Sequence, residues 1–214
     1  MQRSATIPRP GRALSLARIA AGVAVIVVLG YTFALGRDGF NPFDYFGYFT
    51  NLSSLLAAGV FVTTGAYGLR GSAAPRWLAL ARAVATTCLI IVGVVYNVLV
   101  PGTGSAPVWV RIALHIVFPA LALVDWLVAP DRPRLSWREL WVVFPYPVLW
   151  LAVVLVRGAV DGWVPYGFLL PERGAGSLVA HVVGLLIALT AAGALVWGIS
   201  RIPRGTDSGA RRAG

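Results

Sequence analysis

A chain of 214 residues that is 58% hydrophobic and 12% charged, with a mean hydropathy of +0.78, carries about half the charge of an ordinary soluble domain. That composition points to one integral membrane bundle and leaves no room for a second domain. The single Cys88 excludes an intrachain disulfide or a cysteine-based metal site, and the net charge of +10, all of it arginine, gathers at span ends as the membrane rule requires rather than as a nucleic-acid surface.

Residues 1–13 read as a basic, Pro-containing tail. The first apolar run, Leu14 to Leu35, is too long for a signal-peptide core and is followed by no small-x-small cleavage pattern, so it is expected to be retained as a span. The second runs from Tyr45 to Leu69 and opens with the polar-interrupted stretch Tyr48-Phe49-Thr50-Asn51-Leu52-Ser53-Ser54-Leu55-Leu56. The third, Trp77 to Val100, contains Arg82 and Asn97. The fourth, Val108 to Val128, contains His115, Pro119 and Asp125. The fifth, Trp137 to Val160, is interrupted by Pro145 and Pro147, and the sixth, Ala175 to Ile199, carries His181. Residues 201–214 form a second polar tail. Each run meets the roughly 20 residues a helix needs to cross a bilayer. No alternating pattern suggests a barrel, and helices satisfy their own backbone in lipid. The expected fold is therefore all-α: a six-transmembrane-helix bundle over residues 14–200.

Arginine placement sets the expected orientation. Arg3, Arg9, Arg12 and Arg18, then Arg70 and Arg76, then Arg132, Arg134 and Arg138, and finally Arg201, Arg204, Arg211 and Arg212 fall on one side. Only Arg37, Arg111, Arg157 and Arg173 fall on the other. By the positive-inside rule both termini are expected to be cytoplasmic, in a cell membrane. Aromatic residues from Phe40 to Phe49, with Trp163 and Tyr166, mark the outer interface as anchors.

In that topology four polar side chains share one slab below the outer surface. Thr50, His115 and His181 fall about 7 to 11 Å beyond the outer ends of their spans, and Asn97 about 5 Å. Thr50, Ser53 and Ser54 are spaced i, i+3, i+4 and so share a helix face. That face can line a polar pocket, the serines can be small-residue packing positions, or Thr50 or Asn51 can cap a helix that starts later. The sequon Asn51-Leu52-Ser53 is accidental at this depth. Ionisable groups within spans are costly and usually mark function. A neutral His115 can act as a general base or can tie two helices together. Pro119 removes the donor that the His115 carbonyl would normally receive, so a kink and a free carbonyl are expected there. His181 can orient His115, hold a substrate carboxylate or pack. Two histidines make a poor zinc site, and no metal or cofactor is expected. Asp125, about 15 Å along the helix from His115, is out of its reach and is assigned a structural place near Arg132 or Arg138. Arg82 is expected to snorkel to the inner surface. The Phe144-Pro145-Tyr146-Pro147 segment is expected to break the fifth helix inside the bilayer, leaving Tyr146 to bond within a cavity. Arg157 and Asp161 form an i, i+4 surface pair.

The combination of YFTNLSSLL, HIVFPALALVDW and PYPVLWLAVVLVRGAVDGWVPYGFL resembles the androgen-induced membrane-protein family and its bacterial six-span relatives, over about residues 14–200. The resemblance implies an intramembrane hydrolase in which a threonine of the second span and a histidine of a later span form a dyad that cleaves fatty acid esters of hydroxy fatty acids. The matching positions are Thr50 and His115. The sequence-based expectation is thus a threonine hydrolase of lipid esters, with the oxyanion donor supplied by Asn51, Asn97 or a backbone N–H at the start of the second span. Ser54, Tyr146 and His181 would support the pocket. The implied partners are a lipid or amphiphilic small molecule and the bilayer, with no nucleic acid. The alternative is a non-enzymatic protein that binds or transports an amphiphile. A proton-coupled carrier is weaker, because no internal repeat is evident.

Overall fold

The computed structural model describes residues 10–36, 41–102 and 106–203, so most of both tails, with Arg3, Arg9, Arg204, Arg211 and Arg212, lies outside the described residues. Among the described residues every regular element is helical. The long elements are α1 (Arg12–Leu35), α3 (Phe49–Leu69), α4 (Arg76–Leu99), the composite α5–α6 (Val108–Ile112 and Phe118–Val128, joined by a widened π turn, Ala113–Val117), α7 (Pro145–Val160) and α8 (Ala175–Ser200). A short α2 (Pro42–Gly47) precedes α3. Six helical segments among the described residues are long and apolar enough to cross a membrane.

Two expected spans are divided differently. The second breaks at Tyr48, whose extended backbone (φ −69°, ψ 126°) separates α2 from α3. Thr50 therefore lies in the first turn of a new helix, and the cap is Tyr48 rather than Thr50 or Asn51. The fifth begins as a 3-10 segment, Trp137–Val143, behind a Ser136–Glu139 capping box, and α7 starts afresh at Pro145. Pro145 and Pro147 thus occupy the first turn of α7, where an N–H has no intrahelical acceptor anyway, and the expected break falls at the junction between the 3-10 segment and α7.

Small residues bring α1 and α3 into backbone contact. A Cβ on Gly22 would lie 2.6 Å from the Ala58 carbonyl oxygen, and one on Gly65 would lie 2.5 Å from that of Ser15. Close approach of this kind drives packing where lipid offers no hydrophobic advantage. Trp126 and Trp197 are fully buried, and their indole N–H groups donate to the carbonyls of Val196 (2.9 Å) and Ser136 (3.0 Å).

Near the start of α1 and the end of α6 lies a buried ion cluster. Arg18 Nε donates to Asp125 Oδ1 at 2.7 Å, and its Nη1 to Asp131 Oδ2 at 2.8 Å. Arg82 Nη1 reaches Asp131 Oδ2 at 3.0 Å and Asp125 Oδ2 at 4.0 Å. Both guanidinium-bearing side chains are 2% exposed. Two expectations are corrected here. Asp125 pairs with Arg18 and Arg82, not with Arg132 or Arg138, and Arg82 turns inward instead of snorkelling. The reason is that two carboxylates compensate it where it stands. Arg132 instead caps α6, donating to the Trp126 and Leu127 carbonyls at 2.7 Å each. Burial pushes the Asp131 carboxyl up, but the hydrogen bond from Arg18 and the charge of Arg82 outweigh it and hold it at about 2.

Candidate functional site

Ser15 packs on Gly65, which lies about 22 Å along α3 from Thr50, so the candidate site is at the end of the bundle away from the ion cluster. There a cavity of about 550 Å³ opens among α3, α4, α5, α7 and α8. Its walls are mostly aliphatic and aromatic, including Ile91, Val95, Leu151 and Leu189, and its polar groups include Thr50, Asn51, Tyr96, Arg111, His115 and Tyr166.

Thr50 and His115 meet on this wall, with Thr50 Oγ1 3.3 Å from His115 Nε2. The other ring nitrogen, Nδ1, lies 2.9 Å from the Arg111 carbonyl oxygen. A carbonyl only accepts, so Nδ1 carries the proton of the neutral ring. Nε2 is then bare and accepts from the Thr50 hydroxyl. Tyr96 stacks on the imidazole with ring centroids 3.6 Å apart and fixes its plane.

The π turn explains how the helix presents His115. The N–H of Phe118 bonds to the Ala113 carbonyl, five residues back. Pro119 lies immediately beyond it. The expected loose carbonyl is accommodated by this widening, with Asn97 Nδ2 3.5 Å from the His115 oxygen. π turns of this type recur at functional sites because they re-aim side chains without ending the helix.

The remaining expected residues are distributed as follows. Asn51 lines the cavity, but its Nδ2 donates to the Tyr45 carbonyl at 2.8 Å. Asn97 is exposed and donates to the Gly93 carbonyl at 2.7 Å. Neither amide is aimed at Thr50, so neither fills the expected role of oxyanion donor. Ser54 is fully buried without a hydrogen-bond partner and packs away from the cavity wall. Tyr146 bonds to Ser53 at 2.8 Å, tying α7 to α3 behind the site. His181 does not join His115. Its Nδ1 bonds to the Ser177 carbonyl at 2.8 Å and its ring stacks on Phe168 at 5.5 Å. The polar slab thus unites three of its four members and leaves His181 apart.

Sequence reasoning missed three residues. Arg111 was counted only for orientation, yet it lines the cavity, donates to the Gly102 carbonyl at 2.7 Å and keeps a buried Nε without a partner. Its position one turn before His115 was the available signal. Tyr96 adjoins Asn97 but gave none. Tyr166 was read as an interfacial anchor. It lines the same cavity as Thr50, and burial pushes the phenol up to about 12.

Neither a family model, a curated protein nor a solved structure matches the chain.

Proposed function

We propose that the protein is an intramembrane threonine hydrolase of lipid esters. The reading rests on the contact between Thr50 Oγ1 and a His115 Nε2 left unprotonated because Nδ1–H is committed to the Arg111 carbonyl. Nε2 takes the Thr50 proton as Oγ1 attacks the ester carbonyl. The tetrahedral intermediate expels the alcohol, which leaves with the proton held by His115. Water, deprotonated by the same nitrogen, then attacks the acyl-threonine, releasing the fatty acid and restoring the Thr50 hydroxyl. The Arg111 carbonyl takes the place of the acidic group that orients the histidine of a complete triad.

The aliphatic walls suit an acyl chain, and Arg111 supplies a positive group for an anionic head. Fatty acid esters of hydroxy fatty acids, the substrates implied by the resemblance of YFTNLSSLL and HIVFPALALVDW, have both features. The distribution of arginine supports a reading in which the hollow faces the extracytoplasmic side of the cell membrane and both termini are cytoplasmic.

Purified protein in detergent is tested with p-nitrophenyl octanoate and a panel of lipid esters. Wild-type turnover should be lost in Thr50→Ala and His115→Ala. Unimpaired turnover by Thr50→Ala removes the proposal. The alternative, an amphiphile-binding or transport protein, is favoured by the same cavity, and it predicts saturable binding of a fatty acid with no turnover by any variant.

A further inference from the structure

The acyl transfer uses the backbone carbonyl of Arg111 and leaves its side chain without a task. That side chain lines the cavity, four residues and about 6 Å of helix rise before His115. Its Nη1 is anchored on the Gly102 carbonyl at 2.7 Å, its Nε is buried without a partner, and no described residue bonds Nη2. Other arginines of the bundle face carboxylates: Arg18 and Arg82 meet Asp125 and Asp131, Arg76 meets Glu139, and Arg157 meets Asp44 and Asp161. Among the described residues no carboxylate stands within ion-pair distance of Arg111. A charged group kept in an apolar span without a counter-charge is costly, and such groups usually mark function.

The cavity is asymmetric around this group. The guanidinium is tied toward Gly102, in the connection between α4 and α5, whereas the walls contributed by α7 and α8, including Val148, Leu151, Leu185 and Leu189, carry no charge. Chemistry fixes which half of an ester meets the charged end. His115 Nε2 faces Thr50 Oγ1 at 3.3 Å and passes its proton to the leaving alcohol. Arg111 stands one turn away on the same helix, tied to the imidazole through the 2.9 Å contact between Nδ1 and its own carbonyl. The half of the ester that His115 protonates is therefore the half that meets the guanidinium, and the acyl half is left to the aliphatic walls.

We infer that Arg111 is a specificity-determining residue whose guanidinium receives a carboxylate carried by the alcohol half of the ester, so that the substrate lies with its charged half toward α5 and its acyl half toward α7 and α8. This rests on the hydrolase reading above and deepens it, assigning the residue that selects the substrate and the direction in which the substrate lies. The pairing adds no covalent step. The acyl group passes to Thr50, the alcohol oxygen takes the proton from His115, and the alcohol departs as a hydroxy acid whose carboxylate Arg111 still holds. Hydrogen bonds between two charged groups are roughly twice as strong as neutral ones, and a water-poor apolar site strengthens them further. The released hydroxy acid should therefore compete with the substrate.

The test uses two matched pairs of esters in detergent, assayed by release of octanoate or octanol. The octanoyl ester of ricinoleic acid carries its carboxylate on the alcohol half, the monooctyl ester of sebacic acid carries it on the acyl half, and each is compared with its own methyl ester. Full-length wild type should prefer the ricinoleic acid compound over its methyl ester by about tenfold or more in kcat/KM, Arg111→Gln should bring that preference to about one, and Arg111→Lys should lie between them. The sebacic acid pair should show no preference that Arg111→Gln removes. The substitution keeps the backbone carbonyl, and any displacement of His115 acts on both members of a pair alike, so the ratio reads the carboxylate alone. A ricinoleic preference retained by Arg111→Gln overturns the inference, and so does a sebacic preference lost to the same extent. Should Arg111→Gln fail to fold or turn over nothing, the wild type decides by binding. Unlabelled ricinoleate should displace radiolabelled ricinoleate about tenfold or more better than methyl ricinoleate does, and equal displacement overturns the inference. Wild-type protein that hydrolyses none of the esters removes the hydrolase reading and the direction with it, and the displacement then judges the pairing of Arg111 with a carboxylate alone.

Discussion

Gly93 of α4 lies directly against His115 of the π turn: a Cβ at position 93 would stand 3.3 Å from the His115 carbonyl oxygen and 3.5 Å from Pro119 Cβ. The absence of a side chain there lets α4 bring Tyr96 over the imidazole and Asn97 to its carbonyl.

A larger residue at this point should act on the chemistry more than on the fold. Gly93→Val should push the π turn away from α4 and lengthen the Thr50–His115 contact. Overpacking costs about 1–3 kcal/mol, whereas a misplacement of about 1 Å can cost about 10²-fold in rate. The expected result is a variant that still extracts and melts cooperatively but hydrolyses p-nitrophenyl octanoate at least tenfold more slowly. Thermal unfolding in detergent beside steady-state kinetics checks both halves.

The ion cluster should behave in the opposite way. Asp125→Asn or Arg18→Met leaves a charge buried among Arg18, Arg82, Asp125 and Asp131 without its full set of partners, and breaking a buried pair costs about 3–5 kcal/mol. Arg76→Gln removes a pair whose arginine is 53% exposed and should cost about 0–1 kcal/mol. Melting temperatures of the three variants are the measurement. An Asp125→Asn protein as stable as Arg76→Gln would deny the cluster its structural role.

Acid should weaken the same cluster over a defined window. Asp131 in the folded protein titrates at about 2, below its ordinary value of 3.8, so it stabilises the fold fully above the higher value and ceases to do so as pH falls through the lower. The contribution at neutral pH is about 2 kcal/mol. From this group the melting temperature in detergent should hold down to about pH 4 and fall between about pH 4 and 2. Asp131→Asn should flatten that fall.

The six apolar segments were legible from hydropathy alone, because segment length and lipid thickness leave one solution. The common depth of Thr50 and His115 was legible as well, since it follows from counting residues along their helices, whereas their pairing was implied only by the resemblance. Depth says nothing about azimuth, however. His181 lies at a similar depth and faces Phe168 instead. Counting also took the second span as one helix, which the extended residue at Tyr48 divides, whereas the break at Pro145 was signalled by its prolines. Tyr166 was hidden for another reason: it sits in a connection, where hydropathy carries no register. The partner of Asp125 was missed because its charge is matched by Arg18 of the first helix, 107 positions earlier.

The π turn at Ala113–Val117 carries a consequence for insertions and deletions along this chain. Such a turn is an α-helix with one supernumerary residue, and each residue advances the helix by about 100°. Removing Ala113 would let the two halves fuse into one regular rod while turning the segment Val108–Ile112 by that amount relative to Phe118–Val128. The carbonyl of Arg111 would then swing off Nδ1, and the imidazole would lose the acceptor that keeps Nε2 bare. A shortening by one apolar alanine, far milder in hydropathy than any charge substitution, would thus part the His115 ring from Thr50 in a chain that keeps all six apolar segments.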